Sequence, residues 1–270
     1  MRIARSGASL SPIDVGDHVC WAAPPKAEFQ RTARAYLTDG TRLGDKIMVV
    51  GPPSPAWQLD LPAAQGQLVD PAACDVGWNA DALVSLVRQE AEAAGRQGFR
   101  ALRVLANMDR IWPAGITPRQ VADHELRLDA VIGGSAAMVV CAYAGTRFPP
   151  DLLGQAASVH PHFVGDRDAE PSFRVFSGGE DCWNVSGVVD ADGAAAFHTA
   201  VTELLRTTST LRLRCADLEL IDAAGMRTLA EAAAAFPGRT ITVENANALV
   251  RKCWELLSYD DPTVPVELVP

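Results

Sequence analysis

The sequence predicts an α/β protein in which a parallel sheet with helices on both faces is followed by a smaller α/β domain. Apolar runs of strand length alternate with helical patterns through the first half, which is typical of a parallel, helix-covered sheet. A polar segment over 159–172, broken by proline and glycine, indicates a boundary between two units. We therefore expect one domain over residues 1–165 and a second over 170–270.

The first half contains five predicted strands. Two of them, KIMVVG (46–51) and AMVVCAY (137–143), are uninterrupted apolar runs, as expected of strands that are buried on both faces. The other three are HVCWA (18–22), QLVD (67–70) and LRVLANM (102–108).

Three helices are predicted between these strands. The first has apolar residues at helical spacing, namely Phe29, Ala33, Tyr36 and Leu37. The second spans 79–94. The third begins at Thr117, where Pro118 takes the first helical position and Gln120 completes a capping box.

The second half opens with two strands, over 172–177 and 182–189, which the turn sequence GGED joins as neighbours. The remaining predicted elements are, in order, a helix with Ala194, Phe197, Val201, Leu204 and Leu205 in register, a strand TLRLR, a strand LELI that leads into DAAG, a helix with Met226, Leu229, Ala230, Ala233 and Phe236 as its apolar stripe, a strand RTITVENA and a helix over 247–257.

Composition and charge argue against several function classes. The net charge is −9, with no basic cluster, so we expect no nucleic-acid partner. No apolar run approaches the ~20 residues of a membrane-spanning helix, and the start MRIARSGASLSPID lacks the apolar core of a secretory signal. The six cysteines are scattered without a C-x-x-C pair, which suits reduced thiols in the cytoplasm.

The stretch LELIDAAGMRTL (218–229) resembles the STAS family, the sulphate-transporter and anti-sigma-factor-antagonist fold, and the resemblance covers about 172–260. In that family's anti-sigma antagonists, the residue before the glycine is a serine that a kinase phosphorylates to break the partner complex. Here that position is Ala224, so the resemblance implies a docking corner without the phosphate switch. The expected docking residues are Asp222, which would cap the helix, together with Ala223, Ala224 and Gly225.

Four stretches of the first half resemble, in order, the MEDS family of sensory domains: DHVCWAAPPKAEF (17–29), RVLANMDRIWP (103–113), ADHELRLDAVI (122–132) and MVVCAYAGTRFPPDLLGQAASVHP (138–161). This resemblance implies a RecA/KaiC-like parallel sheet and a role in binding small organic ligands. The loop after the strand at 46–50 is GPPSPAW (51–57), whose three prolines lack the backbone N–H groups of a phosphate-binding loop. ATP hydrolysis is therefore not expected, and neither is a bound cofactor.

Open α/β sheets bind ligands at the carboxyl ends of their strands. Aromatic side chains expected there, Trp21, Trp57, Trp112 and Tyr143, would suit an apolar or aromatic small molecule, although each tryptophan has an alternative as a core residue. His124 and Glu125 fall within the apolar stripe of the predicted helix and need partners there, either strand backbone or a ligand.

His18 and Cys20 would face the same side of their strand, as would Cys141 and Tyr143. We expect no metal site, because zinc usually takes about four ligands with closely spaced thiolates. The pair His160 and His162 is expected in a solvated loop, and the cysteines are expected to behave as small buried hydrophobes.

These observations predict a bacterial, cytoplasmic regulatory protein that is not an enzyme. Its first domain would bind a small organic ligand, and its second would dock a protein such as an anti-sigma factor; a homodimer is left open. The alternative is an enzyme of small-molecule metabolism with a pocket near the domain interface, using His18, Cys20, His124, Glu125 or Tyr143 for acid–base chemistry. A scaffold with a vestigial pocket is the third possibility.

Overall fold

The computed structural model describes residues 2–23, 26–51, 66–69, 80–112, 115–144, 148–179 and 181–269. The elements of the first half are β1 (Arg5–Gly7), β2 (His18–Ala23), α1 (Lys26–Leu43), β3 (Lys46–Val50), β4 (Gly66–Val69), α2 (Ala80–Arg96), β5 (Leu102–Asn107), α3 (Met108–Ile111), α4 (Pro118–Gly133), β6 (Ala137–Ala144), α5 (Pro150–Ser158) and β7 (His162–Val164). Those of the second half are β8 (Phe173–Gly179), β9 (Cys182–Val189), α6 (Ala194–Thr207), β10 (Thr210–Ile221), α7 (Ala223–Ala234), β11 (Thr240–Glu244), α8 (Ala248–Leu256) and β12 (Val266–Val269).

The first sheet has seven strands in the order β1-β7-β2-β6-β5-β3-β4, and every neighbouring pair is parallel. Side chains alternate between two apolar layers, as the two-residue period of a strand requires. Cys20 and Cys141 face the layer that contains α2 and α4, whereas Trp21 and Val140 face the layer that contains α1. The predicted fold class, a parallel sheet with helices on both faces, is confirmed.

The second sheet has five strands in the order β12-β11-β10-β9-β8, in which only the pair β8–β9 is antiparallel. The two strands predicted around 210–221 form one continuous strand, Thr210–Ile221, whose register shifts twice against β9. Strand β12 was not predicted, because its short, proline-flanked sequence shows little periodicity.

The polar segment 159–172 does not form the expected loop throughout. Residues His162–Val164 make strand β7, which inserts between β1 and β2 of the first sheet. Phe163 and Val164 are buried there, at 2% and 7% exposure, and supply the apolar contacts that stabilise the strand. The prediction that His160 and His162 lie in a solvated loop is wrong: they are 0% and 5% exposed.

Helix α4 lies between the two sheets and is buried on both sides. Its capping box is present as predicted, with the Thr117 side chain accepting the Gln120 backbone N–H. Val121 and Leu128 pack in the core beside the first sheet, while Leu126 packs in the core of the second. One helix therefore contributes side chains to the hydrophobic cores of both halves.

None of the helices in the described part of the chain combines the length and apolar character needed to cross a membrane.

Candidate functional site

A cluster of ionisable side chains lies beneath α4, and Glu125 is at its centre. Its Oε1 accepts a hydrogen bond from the Tyr143 hydroxyl. Its Oε2 lies 3.3 Å from His18 Nε2, 3.4 Å from His160 Nε2 and 3.5 Å from the Cys141 Sγ. All five residues are 0% exposed. Burial of so many polar groups is stable only where each has partners of complementary charge or hydrogen-bonding character.

The fold assembles this cluster from four separate segments. His18 begins β2, and Cys141 and Tyr143 lie two residues apart on β6, the strand that pairs with β2. The two-residue period points all three side chains toward α4, which carries Glu125. His160 comes from the turn between α5 and β7, so the unpredicted strand β7 is what fixes its position.

A second layer of hydrogen bonds orients the two imidazoles. His18 Nδ1 lies 3.2 Å from Asp129 Oδ1, and His160 Nδ1 lies 2.7 Å from the carbonyl oxygen of Ala156. A carbonyl oxygen only accepts, so Nδ1 of His160 carries the proton. The Asp129 carboxylate is also an acceptor, so Nδ1 of His18 carries a proton as well. The Nε2 atoms of both rings therefore face Glu125.

Asp129 connects the cluster to the second half of the chain. It is fully buried and forms an ion pair with the Arg2 guanidinium, which donates two hydrogen bonds of 2.6 and 2.9 Å. Its Oδ2 also accepts the backbone N–H of Ser177, on β8, at 2.7 Å. Asp129 was not among the predicted site residues, although it lies one helical turn after Glu125 on the same face. No sequence signal pointed to Arg2.

Burial and neighbouring charges set the protonation of the cluster. Burial lowers the pKa of His160 to about 3, and His18 adds to the effect, so the His160 imidazole is neutral at physiological pH. Burial also lowers the pKa of His18, but its bonds to Asp129 and Glu125 outweigh this and the net pKa is raised. Burial raises the pKa of Glu125, but the hydrogen bond and the charge of His18 oppose this effect, and the net pKa is lowered.

The same competition acts on Asp129: burial raises its pKa, whereas His18 and Arg2 bring it down to about 2. Burial raises the pKa of the Cys20 and Cys141 thiols well above the usual value, and the nearby Glu125 carboxylate adds to the effect. Both thiols are therefore protonated at neutral pH, and neither is an activated nucleophile.

The structure brings together some predicted ligand-binding residues and separates others. His124 is buried beside Trp112, whose ring meets it edge-on with centroids 4.9 Å apart, and Glu125 contacts Tyr143. Trp21 does not join them. It stacks on Phe29 at 4.8 Å in the apolar layer on the other face of the sheet, because it is one residue out of phase with Cys20. Trp57 lies outside the described residues.

Glu125 differs in its partners from what was predicted. Among the described residues, it pairs with side chains and not with strand backbone. Of the residues considered for acid–base chemistry, His18, Glu125 and Tyr143 are in the cluster, whereas Cys20 lies beside Cys141 on the neighbouring strand. Two grooves lie between the halves, with volumes of about 570 and 810 Å³. Their described lining includes none of the five residues considered for acid–base chemistry, His18, Cys20, His124, Glu125 and Tyr143.

The corner before α7 has the predicted strand-to-helix geometry. Asp222 caps the helix, with its side chain accepting the Gly225 backbone N–H at 2.9 Å. Ala223 is exposed and Ala224 is half-buried. A Cβ on Gly225 would lie 2.7 Å from Ile221 Cγ1 and 2.8 Å from Val189 Cγ1, so only glycine fits beneath the turn. The predicted strand-to-helix corner is confirmed, and it lies at the surface.

Comparison with known proteins agrees with this organisation. Residues 17–161 match the family model described as MEDS, the methanogen/methylotroph, DcmR sensory domain. Residues 175–270 match the model described as the Mlab, STAS domain. Among curated proteins, none matches the chain. The first match spans more than half of the 270 residues, and it includes every residue of the buried cluster. The chain therefore belongs to the MEDS family, with a STAS domain following its sensory domain.

Proposed function

We propose that this protein is a regulator in which the MEDS domain binds a small organic ligand and the STAS domain docks a protein partner of the anti-sigma-factor class. A sensory and a STAS domain in one chain support a regulatory protein. The exposed corner at Asp222–Gly225 supports docking. Trp112, His124, Glu125 and Tyr143 are the residues proposed to respond to the ligand. That Trp57 also contacts the ligand stays a prediction, because this residue lies outside the described part of the chain.

The observation that carries this proposal is the position of Asp129. One carboxylate holds His18 of the buried cluster at 3.2 Å and the Ser177 backbone N–H of the second sheet at 2.7 Å. A ligand that changes the cluster therefore acts on a group that is directly bonded to β8. Coupling further requires that the ligand prefer one arrangement of α4 and β8 over another.

Control of the docking corner is proposed to come from ligand occupancy. Ala223 and Ala224 have no hydroxyl to accept a phosphate, and Thr228, the one hydroxyl residue between 218 and 233, is only 7% exposed. The partner would then recognise a surface whose state is set within the chain, with no charge added to the corner.

The enzyme alternative gains no support from the site. The thiols are protonated, and the cluster is enclosed by α4 within the described part of the chain. A nucleophile would need an adjacent base and access to substrate.

Docking is tested with a matched pair of variants on α7. Ala223 and Ala234 are both exposed alanines of the same helix, at opposite ends. We expect Ala223→Arg to abolish binding of an anti-sigma factor in a pull-down from a purified panel, while Ala234→Arg binds like the wild type. Equal binding by both variants, or no binding of any panel member by the wild-type chain, would contradict the docking proposal.

A further inference from the structure

We infer that His18, Glu125, Cys141 and His160 form a binding site for a divalent transition-metal ion of the zinc type. The four side chains offer two imidazole nitrogens, a carboxylate oxygen and a thiol sulfur, and these atoms all lie within 4.8 Å of one another. The inference rests on donor atoms and geometry, and it holds or fails independently of the proposed organic ligand and protein partner.

Four of the six distances between the donor atoms match the edges of a tetrahedral zinc site. Glu125 Oε2 is 3.3, 3.4 and 3.5 Å from the donors of His18, His160 and Cys141, and Cys141 Sγ is 3.5 Å from His18 Nε2. Zinc bonds of roughly 2.0–2.3 Å place tetrahedral ligands about 3.3–3.7 Å apart. The two N···O separations are longer than the ~2.9 Å of a direct hydrogen bond, as expected of atoms arranged around a shared centre.

The second layer also has the form that metal sites require. The Nδ1 atoms of both imidazoles are held, one by the Asp129 carboxylate and the other by the Ala156 carbonyl, which leaves both Nε2 atoms for the metal. The Tyr143 hydroxyl occupies Glu125 Oε1 and leaves Oε2 facing the centre. His160 Nε2 makes no hydrogen bond to any residue that the structure describes, and a metal ion would satisfy it.

Charge and softness select the class of ion. The Glu125 carboxylate and a Cys141 thiolate carry two negative charges, which neutralise a divalent cation in a fully buried site. Imidazole and thiolate ligands favour zinc and its neighbours over magnesium or calcium, which prefer oxygen. Four protein ligands also match the closed coordination of structural zinc sites.

Metal binding must release a proton. The Cys141 thiol loses its proton to become a thiolate, and this proton passes to solvent as the metal–sulfur bond forms, while each imidazole binds the metal through an unprotonated Nε2. No electron transfer or further reactant is involved.

The test is a titration of the reduced, metal-free full-length chain with Co²⁺. We expect one ion per chain, with the intense visible absorption of tetrahedral Co²⁺, a thiolate-to-cobalt charge-transfer band in the near ultraviolet, and displacement by one equivalent of Zn²⁺. The wild-type titration requires no variant, so misfolding does not confuse it. Absence of stoichiometric binding, or six-coordinate spectra without the charge-transfer band, would overturn the inference.

Matched variants identify the ligands. Cys141→Ser should lose the charge-transfer band, whereas Cys20→Ser, equally buried and paired with it on the next strand, should keep it. Likewise His160→Gln should change the visible bands, whereas His162→Gln, whose imidazole binds Asp17 at 2.9 Å, should not. Tyr143→Phe retains the ring and should weaken metal affinity about 10- to 100-fold. Retention of the band in a folded Cys141→Ser protein would refute the assignment.

Discussion

In the MEDS domain, the atoms of the buried cluster come from four segments between His18 and His160, whereas the proposed docking corner of the STAS domain is formed by four consecutive residues, Asp222–Gly225, at the surface. The first arrangement suits the proposed sensitivity to a small group or ion, because each atom is held by several neighbours in a medium of low dielectric constant. The second arrangement suits the contact with a large partner that we propose for it. Helix α4 lies between the two sheets and contacts both of them.

The difference predicts that the two regions respond very differently to substitution. Asp129→Ala removes the partner of Arg2, His18 and the Ser177 N–H in one step. We expect a loss of about 3–5 kcal/mol in the free energy of unfolding, because a buried ion pair is broken. Urea denaturation measures this loss.

The control for this variant is Asp123→Ala on the same helix. The Asp123 side chain is 36% exposed and pairs with Arg127 at 3.3 Å. A surface pair of this kind contributes little, so we expect a change within about 0.5 kcal/mol. Similar losses in both variants would show that α4 tolerates no substitution, and that Asp129 has no special place in it.

The proposed docking corner is expected to be sensitive to substitution at the buried Gly225. Gly225→Ala places a methyl group 2.7 Å from Ile221 Cγ1 and 3.1 Å from the Val189 carbonyl oxygen. We expect a destabilisation of about 1–3 kcal/mol from overpacking. Gly154→Ala in α5 meets nothing within 4 Å and should be neutral or stabilising by up to about 1 kcal/mol. Thermal unfolding of both variants compares them, and a neutral Gly225→Ala would disprove the close approach.

The smallest expected effect is that of a kinase. Incubation of the chain with ATP and anti-sigma kinases should leave residues 218–233 unmodified, because the position before Gly225 is Ala224 and Thr228 is buried. Mass spectrometry of the digested protein is the measurement. Phosphate on Thr228 would contradict this prediction, because it would show that a kinase modifies this segment.

The features that were predictable from the sequence are those formed by residues close together in the chain. The strand-to-helix corner was predictable because a helix cap and its glycine are local: Asp222 and Gly225 are three residues apart. The long apolar strands were equally clear. The cluster was only half visible, since His18 and Glu125 stood out as polar residues in apolar patterns, but their partners are set by strand order.

Strand β7 explains most of the rest. Its three residues, His162–Val164, are too short to show a period and lie in a segment rich in proline and charge. Only pairing with β1 and β2 makes them a strand, and only that strand brings His160 to Glu125. A rule based on closely spaced ligands cannot find such a site, because its members meet through tertiary packing alone.

The central claim is that the state of the buried cluster reaches the STAS domain through Asp129, and hydrogen exchange at β8 tests it most directly. His18→Asn alters the cluster without touching any residue of the second sheet. We expect faster exchange of the Ser177 amide in this variant, with the amides of β11 unchanged and with Cys20→Ser, the control, like the wild type. Identical exchange of the Ser177 amide in His18→Asn and the wild type would contradict the account.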